Sequence, residues 1–249
     1  MKNKTKDLTE GSIGKLILMF ALPLLGSSLI QQMYSTVDLI FVGRFIGKEA
    51  SAAVGSSDLL VTCIVGLFTG ISVGSGVVAA QAFGQKNNKS LHKVIQTAFF
   101  FGVLGALVLM VGGLLLAPTF LHWLGTPEEV FDQALLYLRI YFAGIFGIVE
   151  YNLCSGIVRS LGDAKSALKF QIFGGLANIL GDYLLIVVFH MGIAGAALAT
   201  VGAQILSAIL TIHYLCKLQP EIALRVTRPM LDGQILKKLL IVGIPSGIQ

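Results

Sequence analysis

Four acids stand inside long apolar runs: Asp38, Asp58, Glu150 and Asp182. An ionisable side chain in such a run is costly, and it marks an ion or substrate path by default. Depth separates the four. At 1.5 Å per helical residue, Asp38 lies roughly 9 Å inside the run that ends near Arg44. Asp182 lies roughly 12 Å before His190 by the same arithmetic. Asn178 is one turn from Asp182 on the same helical face, and Thr200 sits roughly 10 Å into the run that opens at Ile193. These four side chains therefore share one half of the apolar layer. Desolvation and mutual repulsion both oppose two bare carboxylates at one depth, so Asp38 and Asp182 suit a shared proton or a bound Na⁺. Asn178 and Thr200 would supply neutral partners. A purely structural role also stands, with either acid satisfying nearby backbone or Tyr34. Glu150 falls in the other half and fits substrate entry as well as a plain interhelical hydrogen bond. Asp58 reads as interfacial.

The elements that must hold these groups follow from composition. The chain has 249 residues, 55% hydrophobic and only 12% charged, with mean hydropathy +0.83. A soluble domain carries about 25% charge, so the numbers argue for a polytopic membrane protein and against a cytosolic enzyme or a nucleic-acid binder. Apolar runs of spanning length occur at Leu16–Phe41, Val54–Ala82, Val94–Phe120, Ala134–Val158, Ala167–Phe189 and Ile193–Leu215, and another opens at Leu239. With the N-terminus in the cytoplasm, 15 of the 18 Lys and Arg fall on inner segments, and only Arg44, Lys48 and Arg139 fall outside. That bias sets the orientation. Trp123 ends the third run where an interfacial aromatic is expected. The expectation is an all-α membrane protein: a six-helix lobe over residues 1–218, a cytoplasmic interlobe loop over 219–234, and the start of a second lobe over 235–249. A shift of 222 residues lays Glu10–Lys15 over Asp232–Lys237 and Pro23 over Pro245, as a parallel repeat of the six-helix unit would.

Other features carry less chemistry. Pro23 removes a backbone donor inside the first span and favours a bend. Gln31, Gln32 and Tyr34 add polar groups to the same helix. Gly66, Gly70 and Gly74 form a four-residue row suited to close helix packing. Cys63, Cys154 and Cys216 read as small hydrophobes with no metal or disulfide pattern. His92, His122, His190 and His213 fall near span ends. No catalytic set or cofactor loop is present, so neither an enzyme nor a cofactor is expected.

The stretch Gln31-Gln32-Met33-Tyr34-Ser35-Thr36-Val37-Asp38, following Pro23, resembles the first helix of the MATE multidrug and toxin extrusion transporters. Ala79–Gln85, Arg159–Lys165, Asn178–Asp182 and Met191–Thr200 are similar to later stretches of that family, in order and spacing. The resemblance implies the N-terminal six-helix lobe of a twelve-helix transporter in the plasma membrane, exporting cationic or amphipathic xenobiotics in exchange for H⁺ or Na⁺. It implies cation coupling at Asp38, Asn178, Asp182 and Thr200, and helix bending at Pro23. Tyr34, Gln31, Asn152 and Glu150 are possible further polar or substrate contacts, with Ser155 an alternative to Asn152. The partners expected are drugs, H⁺ or Na⁺, the lipid bilayer and a C-terminal lobe, with no nucleic acid. Two other readings are an exporter or flippase of lipid-linked or polysaccharide precursors, and a transport-incompetent fragment.

Overall fold

Nearly every apolar run continues as helix beyond its apolar limits, because polar side chains finish the ends. The computed structural model describes residues 13–248, with side chains described over 21–247. Helix α1 spans Ile13–Phe41, α2 Lys48–Gly84 and α3 Asn88–Trp123. Next come α4 Glu128–Ala143, α5 Ile145–Ser160 and α6 Ala164–Asp182. The last two are α7 Gly192–Cys216 and α8 Gly233–Ile248. Two starts are capped by side chains. Asn87 accepts from the Ser90 amide at 3.0 Å ahead of α3, and Asp163 accepts from the Ser166 amide at 3.0 Å ahead of α6. Among the described residues, α2, α3, α7 and α6 with its extension to Val188 are long and apolar enough to cross a membrane, and α4 with α5 passes as a bent pair.

That pair differs from the single run expected over Ala134–Val158. The two helices meet at 51° around Gly144. A β-carbon on Gly144 would collide with the Val201 side chain of α7, so the bend lets α5 lie flush against α7. The outer ends of α1 and α6 also depart from plain α-helix. The Gly47 amide donates to the Val42 carbonyl at 3.1 Å, and the Phe189 amide to the Leu184 carbonyl at 2.8 Å. Each is the wide i to i+5 pattern, which in other proteins gathers at functional sites. The two widened turns pack on each other and on α7.

Two apolar clusters build the core. One joins Phe68, Leu121, Leu138, Phe142, Ile145 and Ile186. The other, nearer the basic end, joins Leu91, Ile95, Ile157, Leu161, Leu215 and Leu239 with Ile222 and Leu224 of the α7–α8 loop. Helix α8 lies along α2. Gly74 faces the backbone of Gly243, and a β-carbon at Gly74 would stand 2.7 Å from the Gly243 nitrogen. Small residues therefore set this contact, as the glycine row suggested, though Gly66 itself faces open space. Helix α1 packs chiefly on α6, and Leu22, Leu25, Leu29 and Met33 on it are exposed, an apolar stripe with no protein neighbour.

Candidate functional site

Helices α1, α6 and α7 meet below the widened turns, and four of the singled-out polar residues converge there. Asp182 is fully buried at the last residue of α6. Asp38 is half-buried on α1, and the two carboxyls stand within hydrogen-bonding reach of each other. Both Asp182 oxygens and one of Asp38 otherwise lack a donor among the described residues. One turn below Asp182, the Asn178 amide donates to the Thr200 hydroxyl at 3.4 Å, while Asn178 Oδ1 is buried without a partner. Buried acceptors with no donor are costly, and this group is acceptor-rich. It suits a proton or a small cation, which supplies what the oxygens lack. The carboxylates, the amide oxygen and the hydroxyl are the hard donors that Na⁺ would need.

Tyr34 joins the group from α1. Its hydroxyl accepts from Gln204 Nε2 at 3.3 Å, and it lines a small cavity with Asn178, Thr200, Gln204, Gln171 and Tyr151. Gln171, Gln204 and Tyr151 were not singled out from sequence. Their signal was face periodicity: Gln204 is one turn from Thr200, and Gln171 is two turns from Asn178.

The other candidates lie elsewhere. Gln31 is exposed on α1. Asn152 faces α2: its amide donates to the Ile148 carbonyl at 2.8 Å, and its side-chain oxygen accepts from Thr69 at 3.4 Å. Glu150 is fully buried on the α3 side of α5, where a β-carbon on Gly102 would strike its Oε1 and the Cys154 thiol lies 3.6 Å from its Oε2. Ser155 is buried and bonded to Arg159 at 2.8 Å. Asp58 is exposed. Cys154 is buried, whereas Cys63 and Cys216 are exposed rather than buried as expected. Pro23 is buried inside α1, which runs through it without a break.

The MatE family model matches residues 23–184. This chain belongs to the MatE family. A probable multidrug resistance protein, YpnP of Bacillus subtilis strain 168, is 30% identical over 250 residues, which cover 99% of this chain and 55% of YpnP. Among solved structures, a multidrug resistance MATE family transporter in its outward-facing conformation matches at TM-score 0.91 with 26% identity, over 100% of this chain and 55% of that one. An inward-facing conformation matches at TM-score 0.81 with 26% identity, over 92% of this chain and 53% of that one. The fold is therefore the N-terminal lobe of a MATE transporter with the start of the next helix, and it sits nearer the outward-facing form. The chain spans about half the length of the curated relatives it matches.

Proposed function

We propose that residues 1–218 are the N-terminal lobe of a secondary multidrug efflux antiporter of the plasma membrane, with the loop over 219–234 leading into a second lobe. The basic end of the bundle faces the cytoplasm, as the distribution of Lys and Arg supports. Cationic or amphipathic compounds leave in exchange for H⁺ or Na⁺, with no cofactor and no bond chemistry. The observation that carries this reading is the approach of the Asp38 and Asp182 carboxyls above Asn178 and Thr200. A cation entering from outside settles on the two carboxyls. It draws Asp38 and Asp182 together, and α1 moves against α6 with Pro23 as the bending point. Antiport then requires that cation and drug favour opposite states, and the coupling is reciprocal.

The test is gradient-driven drug efflux by the full-length protein carrying Asp38→Asn or Asp182→Asn. Each change is expected to lower efflux by roughly tenfold or more, given the cost of an altered buried polar network. Undiminished efflux in both variants would overturn the assignment. The carboxylates also favour cations over the anionic lipid-linked precursors of the alternative reading, and competition between a cationic dye and such a precursor separates the two.

A further inference from the structure

Below the carboxyl pair, polar side chains continue toward the cytoplasmic end farther than a cation site needs. The cavity lined by Tyr34, Tyr151, Gln171, Asn178, Thr200 and Gln204 measures ≈ 10 Å³, about the room for one water. Two acceptors on its wall lack donors: Asn178 Oδ1, on a side chain 1% exposed, and Gln204 Oε1. One water donating to both would satisfy them.

The column then descends. Tyr34 stands within hydrogen-bonding reach of Gln171, and the Tyr151 hydroxyl donates to Gln171 Oε1 at 2.5 Å. Ser155 reaches the same hydroxyl, and Arg159 donates to Ser155 Oγ at 2.8 Å. Tyr151, Ser155 and Arg159 follow at four-residue steps on one face of α5. Tyr151 and Ser155 are buried, while Arg159, one residue before the end of α5, is partly exposed. Among the described residues no carboxylate forms a salt bridge with it.

An unpaired guanidinium at the mouth of a narrow polar path is a barrier to cations. We infer that Arg159 is the electrostatic seal at the cytoplasmic end of a proton path that starts at Asp38 and Asp182. The inference rests on the reading of those two acids as the cation site. The bore admits one water but no hydrated Na⁺, so the ion it passes is H⁺. A proton moves by relay: each hydroxyl or water oxygen takes a proton from its outer neighbour and releases another inward. No group in the column changes charge, and the proton ends in cytoplasmic water. The Gln171 and Gln204 amides position the carriers. The guanidinium raises the energy of a proton at the last step, so the path stays shut unless the helices move.

The experiment is drug-free proton flux into proteoliposomes of the full-length protein, read by a trapped pH-sensitive dye with the membrane potential clamped. Arg159→Gln is expected to raise the flux roughly fivefold or more over the parent, because the charge barrier is gone. Arg159→Met carries the same expectation should the glutamine variant fail to fold. Arg159→Lys, which keeps the charge, stays near the parent. Adding Gln171→Leu to Arg159→Gln returns the flux to the parent value, which a general membrane defect would not do. A tight barrier in both neutral variants, or a leak that survives Gln171→Leu, overturns the proposal. Drug efflux by Asp38→Asn is read alongside. Lost efflux with a tight Arg159→Gln overturns the seal alone, and undiminished efflux with a leaking one overturns the carboxylate reading alone.

Discussion

Glu150 and Asp182 are both fully buried carboxyls, and their neighbours give them different work. Asp182 faces a second carboxyl and a polar cavity. Glu150 faces Gly102, Leu153 and the Cys154 thiol between α3 and α5, away from the path. Glu150→Gln keeps the shape and the neutral hydrogen-bonding capacity of a protonated acid, so efflux is expected to stay within about twofold of the parent, with stability changed by less than about 1 kcal/mol. Glu150→Ala leaves a hole instead and is expected to cost about 2–4 kcal/mol. Dye efflux and thermal unfolding in detergent check both. Loss of efflux in a stably folded Glu150→Gln would show that the carboxyl itself takes part. At this scale the acids were legible in the sequence because a charge in an apolar run stands out and helical rise gives its depth. Tyr151, Gln171 and Gln204 were not, because a neutral polar residue in a span has no such contrast. Only the contact of three separate helices gives those residues a common purpose.

Helices meet where side chains are absent, and the α2–α8 contact shows it most directly. A methyl group at Gly74 would press on the backbone of Leu239 and Gly243, neither of which can yield as a side-chain tip can. Gly74→Ala is therefore expected to destabilise by about 1–3 kcal/mol. Gly66→Ala, two turns earlier on the same helix and facing open space, should be neutral or gain about 0.5–1 kcal/mol from helix propensity. Thermal unfolding of the two variants side by side decides it, and equal melting temperatures would remove the glycine contact as a determinant. The row of glycines was visible in the sequence, but its partner helix was not. The bend at Gly144 was hidden for the same reason: its cause is Val201, far away in the chain, and no local pattern distinguishes it from a glycine in a straight span.

At the scale of the molecule, the polar stretch after α7 looked like a boundary, and composition alone suggested a free connector. Its fold is more ordered than that, because Ile222, Ala223 and Leu224 are buried and its end is clamped. The Asp232 amide donates to the Thr97 hydroxyl at 3.1 Å. The Asp232 carboxylate accepts from the Gln234 and Ile235 amides at 3.1 and 3.2 Å, capping α8, and pairs with Lys93 at 2.9 Å. One side chain thus ties the helix that leads out of this lobe to α3. The Lys93 hydrogen bond, joined by those backbone amides, holds the Asp232 carboxyl below the usual carboxylate range. A lowered value in the folded state means stabilisation that is present above the ordinary Asp value of about 4 and is lost as pH falls through the lowered one. A spin label on Gln234→Cys, in a background without the native cysteines, is expected to be immobilised at about pH 6 and to loosen progressively in acid below about pH 4. Asp232→Asn should loosen the label at both pH values relative to the parent, since the amide keeps a weaker cap but no charge for Lys93. High salt should reproduce part of that loosening, because the Lys93 ammonium is half exposed and screening acts on the ion pair more than on the cap. A label equally rigid in parent and variant across this range would mean that the buried Ile222–Leu224 segment, not the charge, fixes the start of α8.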